Sequence, residues 1–250
     1  LSGRDGEPPR VAIVADGIGA MHGVTRTIEE IRERGIAGFD IEVIGTDPNV
    51  DRRLPAVADV EIPHYAGMQL GVPSLPAVVD AITGGRFDLI HVCSPGPSGV
   101  AAALLARGME IPLVGSYHTE LAAYAGLRSG DPALEIAAKL AIAAFYAQCQ
   151  LVLSPSAAAD DALAALGIRT DRVARWDRGV DARRFDPARR VEGLFGDGLN
   201  VLYAGRITAE KNIDLLAHAF ELAHARDPRL HLVLAGGGPE QPRLAARLGD

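Results

Sequence analysis

Two cations stand where a predicted strand passes into a predicted helix near the end of the sequence. Arg206 and Lys211 follow an apolar strand, Gly205 lets the backbone turn, and Asn212 is predicted to cap a helix over residues 213–225. A guanidinium offers phosphate oxygens a planar fork, an ammonium offers a point charge, and a helix N-terminus favours anions. The pattern predicts a diphosphate site, although ordinary loop cations would look the same.

A glycine-rich turn follows the first predicted strand and leads into a helix. Gly17, Gly19 and Gly23 lie in this turn, and His22 precedes the last of them. Glycines let backbone amides approach a phosphate, and the helix dipole favours the phosphate charge. The spacing is not that of the dinucleotide pattern Gly-x-Gly-x-x-Gly. The turn is therefore equally consistent with a ligand loop and with a flexible connection.

Two further strand ends carry residues that can contact a ligand. Tyr117 and His118 end another predicted strand. A histidine at the C-terminal end of a parallel strand can bind a sugar hydroxyl or stabilise developing positive charge, or it is a satisfied edge histidine. Gly236, Gly237 and Gly238 follow a later strand and precede a helix. A ligand can approach this backbone closely, or the glycines form only a loop.

The sequence contains no motif typical of metal-dependent or serine-nucleophile catalysis. No Asp-x-Asp pair lies at a strand end, and the sequence has no His-Glu-x-x-His and no Gly-x-Ser-x-Gly segment. We therefore predict no metal site and no serine nucleophile. The other histidines are assigned to structural or solvated positions; they are His64, His91, His218, His224 and His231.

Composition narrows the class of protein. The chain has 250 residues, 48% of them hydrophobic, which predicts one full domain and a piece of a second. A net charge of −7 argues against a nucleic-acid partner. Cys93 and Cys149 have no metal-ligand spacing, so a reduced, cytoplasmic compartment is expected. Residues 1–9 are polar and contain Gly and Pro, as in a linker or tail, and we expect a fragment of a longer protein.

Apolar runs alternate with helical patterns along the whole chain. This alternation predicts an α/β fold with parallel sheets. Predicted strands cover residues 11–15, 41–44, 89–92, 113–117, 151–153, 201–203 and 232–235. Predicted helices cover residues 25–34, 75–82, 98–107, 132–148, 157–166 and 213–225.

The same patterns predict the domain organisation. An N-terminal domain is expected over residues 10–182 and an interdomain linker over 183–198, where apolar periodicity stops. Residues 199–250 would form an incomplete C-terminal domain. So short a unit cannot bury a core of its own, and self-association through it is left open.

Several segments follow one another in the order typical of one enzyme family. They are the glycine-rich turn, Ser116-Tyr117-His118-Thr119, Trp176-Asp177-Arg178-Gly179-Val180-Asp181, Gly205-Arg206 with Lys211, and Gly236-Gly237-Gly238-Pro239. Over nearly the whole chain they resemble the retaining glycosyltransferases of family 4, or glycosyl transferases group 1. The Tyr-His-Thr and Arg-Gly-Val-Asp segments resemble the branch with α-mannosyltransferases and sulfolipid synthases.

The resemblance implies the GT-B fold, in which two Rossmann-like domains face each other across a cleft. The sugar nucleotide would bind mainly to the second domain, which is truncated here. Arg206 and Lys211 would match the diphosphate-binding pair, with Gly23 as the loop residue whose backbone meets the diphosphate. Gly237 and Gly238 would match the loop beside the nucleotide base.

The resemblance also implies roles on the side of the sugar and the acceptor. His118 would match the catalytic histidine near the transferred sugar, and His22 and Tyr117 are the acceptor-side candidates. The reaction would be hexosyl transfer with retention and without a metal ion, from GDP-mannose or a UDP-sugar to a lipid or glycan. Mannose is favoured through the branch. Beyond the donor substrate, no cofactor is implied.

Departures from the family pattern qualify this expectation. Two glutamates eight positions apart, which hold the donor sugar and ribose in the family, would lie beyond Asp250. We therefore expect weak donor binding and little turnover from this chain. His22 stands where the family usually has Asn or Gly, and the N-terminal domain lacks a basic amphipathic patch. Peripheral contact with the inner face of a membrane is left open.

Two other classes of function remain as alternatives. One is a non-catalytic module that binds a nucleotide or a glycan. The other is a nicotinamide-dependent oxidoreductase, which only the glycine-rich turn and Asp47 after the second strand favour. The glycine spacing argues against the latter.

Overall fold

The computed structural model describes residues 6–17, 23–61, 69–118, 131–176 and 179–249. Its strands are β1 (Arg10–Val14), β2 (Asp40–Gly45), β3 (Arg52–Arg53), β4 (Ala56–Glu61), β5 (Gln69–Pro73), β6 (Leu89–Val92), β7 (Leu113–Ser116), β8 (Leu151–Ser154), β9 (Val173–Arg175), β10 (Leu199–Ala204) and β11 (Leu230–Ala235). Its α-helices are α1 (Gly23–Arg34), α2 (Leu75–Gly85), α3 (Pro97–Gly108), α4 (Pro132–Tyr146), α5 (Ala157–Ala165), α6 (Ile213–His224) and α7 (Gln241–Leu248).

A seven-stranded parallel sheet organises the first of two units, which spans Leu1–Arg178. Its strand order is β3-β2-β1-β6-β7-β8-β9. A helix follows each of β1, β6, β7 and β8, so the next strand of the sheet runs in the same direction. The C-terminal ends of the strands therefore meet at one edge of the sheet.

Alternate residues of β1 enter two different cores. Ala12 and Val14 belong to the larger core, whereas Val11, Ile13 and Ala15 belong to the smaller one. Successive side chains of a strand point to opposite faces of a sheet. The sheet is therefore buried on both faces, as its continuous apolar runs predict.

One pair of strands lies outside the predicted alternation. β4 and β5 pair antiparallel in a sheet of their own. Gly71 of β5 lies close to Thr46, because a Cβ at residue 71 would be 2.6 Å from the Thr46 hydroxyl oxygen. The antiparallel pair thus packs against the segment that follows β2.

The second unit spans Gly179–Asp250. Its two strands, β10 and β11, pair in parallel, with Leu199 opposite Leu230 and Ala204 opposite Ala235. The expectation that so short a unit cannot bury a core of its own is wrong, because helices α6 and α7 cover the strands and bury a small one, which consists of Ile207, Ile213, Ala217 and Leu244. Each strand is followed by a helix, so this unit repeats the strand-and-helix order of the first.

The predicted strands and helices recur in the structure with shifts of a few residues at their ends. The exceptions are β3, β4, β5 and β9, which the apolar runs did not indicate. The division into residues 10–182, 183–198 and 199–250 stays a prediction. Within the described ranges, no helix is both long and apolar enough to span a bilayer.

Asp16 joins the end of β1 to the start of α3. Its carboxylate accepts hydrogen bonds from the backbone N–H groups of Ser98 (2.9 Å) and Gly99 (3.1 Å) and from the Ser94 hydroxyl (3.3 Å). Burial raises the pKa of Asp16, and these hydrogen bonds act in the opposite direction. Asp16 thereby satisfies N–H groups that the first turn of a helix leaves unpaired.

We expect Asp16→Ala to destabilise the first unit. The substitution leaves two N–H groups of α3 without their acceptor in a buried place, which costs about 3 kcal/mol. The matched control is Asp131→Ala, because Asp131 caps α4 through the N–H of Ala133 at an exposed position. Loss of such an exposed cap costs about 1 kcal/mol. Urea unfolding followed by circular dichroism measures both; equal losses would contradict a special contribution of the buried carboxylate.

Candidate functional site

The connections that follow β10 and β11 are hydrogen-bonded to each other. The N–H of Gly205 donates to the carbonyl oxygen of Ala235 (2.9 Å), and that of Ile207 donates to Gly237 (2.9 Å). In return, the N–H of Glu240 donates to the carbonyl oxygen of Ile207 (3.2 Å). These bonds continue the strand pairing past the C-terminal ends of β10 and β11. The connection that contains Arg206 and Lys211 is therefore held in place by the connection that follows β11.

Arg206 and Lys211 both lie in the connection between β10 and α6. The Tyr203 hydroxyl donates to the backbone carbonyl oxygen of Arg206 (2.6 Å). Arg206 itself is half-buried. Lys211 is exposed and ends a short 3-10 helix, Ala209–Lys211, just before α6. The structure thus places one cation near the strand end and the other at a helix N-terminus, where partial positive charge favours anions.

Asn212 occupies the N-cap position of α6, as predicted, but it does not cap the helix through its side chain. Asn212 has a φ of 52° and its side chain makes no capping hydrogen bond. It occupies the left-handed region, which Asn tolerates better than most residues, where the 3-10 helix turns into α6. Its contribution is therefore to the backbone turn.

The three glycines after β11 have different environments. A Cβ at Gly236, where φ is 149°, would lie 1.9 Å from the carbonyl oxygen of Gly205. A Cβ at Gly238 would lie 2.2 Å from that of Ile207. At Gly237 the nearest atom would be a side-chain oxygen of Gln241, at 3.6 Å. Gly236 and Gly238 are therefore required by backbone packing, whereas a Cβ at Gly237 would make only an ordinary van der Waals contact.

We expect Gly238→Ala to destabilise the second unit and Gly237→Ala to leave it nearly unchanged. The added methyl group at residue 238 must displace the backbone of Ile207, an overpacking effect of about 1–3 kcal/mol. At residue 237 the change should stay within about 0.5 kcal/mol. Urea unfolding of the two variants measures the difference. Similar free energies of unfolding for the two variants would contradict this expectation, because the two connections could then move apart at little cost in stability.

His118 and Tyr117 end up in different environments at the end of β7. His118 is half-buried, whereas Tyr117 is 4% exposed and belongs to the larger core. The Tyr117 ring packs edge-on against Tyr146, with 5.6 Å between the ring centroids. The acceptor-side role of Tyr117 stays a prediction. The role of His118 near a sugar stays a prediction.

Three rings form a cluster at the C-terminal edge of the sheet, with the indole of Trp176 between the imidazoles of His118 and His91. The ring of Trp176 lies 5.4 Å from that of His118 and 5.8 Å from that of His91. His91 is buried, and its Nε2 atom lies 2.5 Å from the hydroxyl oxygen of Ser116. The sequence assigned His91 only to a structural or solvated position. The parallel register of β6 and β7 places His91 opposite Val114, two residues before Ser116, and only this strand pairing shows that the two side chains meet.

Burial lowers the pKa of His91 from 6.5 to about 4. The unfolded chain therefore takes up a proton between these two values that the folded protein does not. The lowered pKa of His91 therefore contributes to the free energy of unfolding in full above pH 6.5, and this contribution is lost as the pH falls towards about 4. The contribution is about 3 kcal/mol.

We expect His91→Gln to remove this part of the pH dependence. Glutamine keeps a polar group near Ser116 but cannot be protonated, so acidification should destabilise the variant less than the unmodified protein. Urea unfolding at pH 7, 5.5 and 4.5 provides the comparison. An unchanged slope in the variant would show that protonation of His91 does not govern acid stability.

The glycine-rich turn is described only at its two ends. Asp16 and Gly17 follow β1, and Gly23 is the first residue of α1. The acceptor-side prediction at His22 lies outside the described residues. In the part of the chain that the structure describes, no three His, Cys, Asp or Glu side chains form a metal-binding group.

The two units correspond to two family models. Residues 21–184 match the model described as Glycosyltransferase Family 4, and residues 185–248 match Glycosyl transferases group 1. The chain belongs to glycosyltransferase family 4. The resemblance predicted from the sequence motifs is therefore confirmed.

Relatives of this chain include a GDP-mannose-dependent alpha-mannosyltransferase from Corynebacterium glutamicum. The two are 31% identical over 97% of this chain and 61% of the relative. The sulfoquinovosyl transferase SQD2 of Arabidopsis thaliana is 27% identical over 73% of this chain and 36% of that protein. The chain thus spans about three fifths of the length of the first relative.

The fold is also similar to that of solved structures. The Anabaena protein Alr3699/HepE, in complex with UDP and glucose, aligns with 96% of this chain and 66% of that one. The TM-score is 0.62 at 16% sequence identity, a likeness of fold. Together with the seven-stranded parallel sheet, it confirms the predicted α/β fold class of GT-B type.

Proposed function

We propose that this protein transfers a hexose, with mannose favoured, from a nucleotide-diphosphate sugar to a lipid or glycan acceptor. The Corynebacterium relative, whose name gives GDP-mannose as its donor, supports GDP-mannose over a UDP-sugar. The UDP in the Anabaena structure carries little weight here, because the identity is 16%. The donor is a substrate, and the proposal includes no metal ion or further cofactor.

The donor diphosphate binds to Arg206 and Lys211 in this proposal. The observation that carries it is their position in one connection at the C-terminal end of β10, where open α/β sheets bind ligands. Arg206 can bond two phosphate oxygens through its planar fork, and Lys211 adds a point charge at the N-terminus of α6. The hydrogen bonds between the two connections hold this backbone before a ligand arrives.

Gly237 and Gly238 complete the donor site of the second unit in this proposal. The contact of the Gly23 backbone, at the start of α1 in the first unit, with the diphosphate stays a prediction. Gly237 borders the nucleotide base, because no backbone atom packs closely against its α-carbon. Gly238, the other base-side residue, supports the loop by packing on Ile207.

The chemical step follows from these contacts. The bond between the anomeric carbon and the diphosphate oxygen breaks, and the acceptor hydroxyl forms its bond on the same face, which retains the configuration. The hydroxyl proton passes to the departing phosphate oxygen. Arg206 and Lys211 neutralise the charge that develops on the leaving diphosphate, and such prearranged charges are often the largest catalytic contribution. His118 contacts the transferred sugar and stabilises its positive charge.

A lipid acceptor would place this protein at the inner face of a membrane. A cytoplasmic location with peripheral membrane contact is therefore part of the same proposal. His22 remains the acceptor-side candidate in the glycine-rich turn.

The donor site is tested by thermal unfolding of the full-length protein with GDP-mannose, UDP-glucose or NAD. A donor at ten times its Kd stabilises the folded state by about 1.4 kcal/mol, which raises Tm by about 3–5 °C. We expect GDP-mannose to give the largest shift. Arg206→Ala and Lys211→Ala should each weaken binding by about 10- to 100-fold, as expected for a lost charge-assisted hydrogen bond.

The matched control is Arg226→Ala. Arg226 is an exposed cation in the same unit, just after α6, and lies outside the connection between β10 and α6. Its replacement should leave the shift intact. Stabilisation by NAD alone would contradict the proposal and favour an oxidoreductase, and binding without sugar transfer would favour a non-catalytic module.

A further inference from the structure

Trp176 is the one tryptophan in the sequence, and the sheet fixes its backbone. It follows β9 directly, and its N–H donates to the carbonyl oxygen of Ser154 on β8 (2.9 Å). The strand pairing therefore continues one residue past β9. The indole leaves the sheet at a defined point on the edge where the strands end.

The indole of Trp176 contacts two imidazole rings. Its plane is inclined by 63° to the ring of His91 and by 58° to the ring of His118. Inclined ring pairs of this kind are favoured by the charge distribution of aromatic rings and depend on orientation. One indole thus links a buried histidine to a half-buried one.

The buried side of this cluster is held by hydrogen bonds. The Nε2 atom of His91 lies against the Ser116 hydroxyl, and the Tyr146 hydroxyl donates to the backbone carbonyl oxygen of Ser116 (2.8 Å). Ser116 is also two residues before His118 along the chain. Contacts with the core therefore restrain His118 in two ways, through the backbone at the end of β7 and through the indole of Trp176.

We propose that Trp176 is a positioning residue that fixes the imidazole of His118, with His91 and Ser116 supporting the indole from the core side. This inference rests on the proposed function for the effect on sugar transfer. A histidine that contacts the transferred sugar must be oriented before reaction, since small misplacements of catalytic groups reduce rates strongly. The contact between indole and imidazole provides this orientation.

The test compares Trp176→Leu with the conservative variant Trp176→Phe. We expect Trp176→Leu to lower kcat by about 10- to 100-fold while the KM for the donor changes by less than about twofold. Trp176→Phe, which keeps an aromatic ring beside His118, should restore most of kcat. Equal kcat values for the unmodified protein and Trp176→Leu would overturn the proposal.

A double-mutant cycle shows whether Trp176 acts through His118. In the background of His118→Ala, Trp176→Leu should cause no further loss of kcat. A full additional loss would overturn the proposal, because Trp176 would then act by another route. Phe220→Leu is the matched control, since Phe220 pairs with His224 in the second unit (5.7 Å between ring centroids) and should leave kcat unchanged.

A measurement without substrate separates this inference from the proposed function. The order parameter of the His118 ring, from carbon relaxation in NMR, should fall in Trp176→Leu and recover in Trp176→Phe. An unchanged order parameter would overturn the positioning role, even if the protein transfers no sugar. Should Trp176→Leu lose its cooperative unfolding, Trp176→Met is measured instead, with the same expected results.

Discussion

The parallel pairing of the strands in the seven-stranded sheet is the constraint on which the first unit depends. β6 and β7 pair with His91 opposite Val114, and β8 and β9 pair with Ser154 opposite Arg175. Because both faces of the sheet are buried, a slip of one residue would move apolar side chains out of their cores. The register therefore also fixes which polar residues meet at the C-terminal edge. The cluster around His118 is a consequence of that register.

Most of this sheet could be predicted because buried parallel strands are continuous apolar runs. Runs such as residues 89–92 have no competing interpretation when helical patterns flank them. β3 is only Arg52–Arg53 and β9 is only Val173–Arg175, so neither contains an apolar run. Their strand geometry comes from pairing with a neighbour. Short edge strands of this kind depend on tertiary contacts and are not indicated by local sequence.

The residues of the candidate site differ in the same way, because local sequence indicates some of them and only long-range contacts bring the others together. Arg206 and Lys211 could be predicted as a pair because one connection carries both. His91, Ser116 and Trp176 come from three separate strand ends, and only the register of the sheet brings them together. The burial of Tyr117 likewise could not be predicted from local sequence, because it depends on packing against Tyr146 of α4.

The two candidate regions are rigid for different reasons. The connections around Arg206 are held by backbone hydrogen bonds and by glycines whose replacement would displace a carbonyl oxygen. In the proposed function, such a framework would present charge to a diphosphate without reorganisation, which is where electrostatic stabilisation is most effective. His118 is instead held by its ring contact with Trp176, a contact that depends on the orientation of the two rings. In the proposed function, the cations and the histidine are therefore each oriented before the reaction changes the charge on the diphosphate and on the sugar.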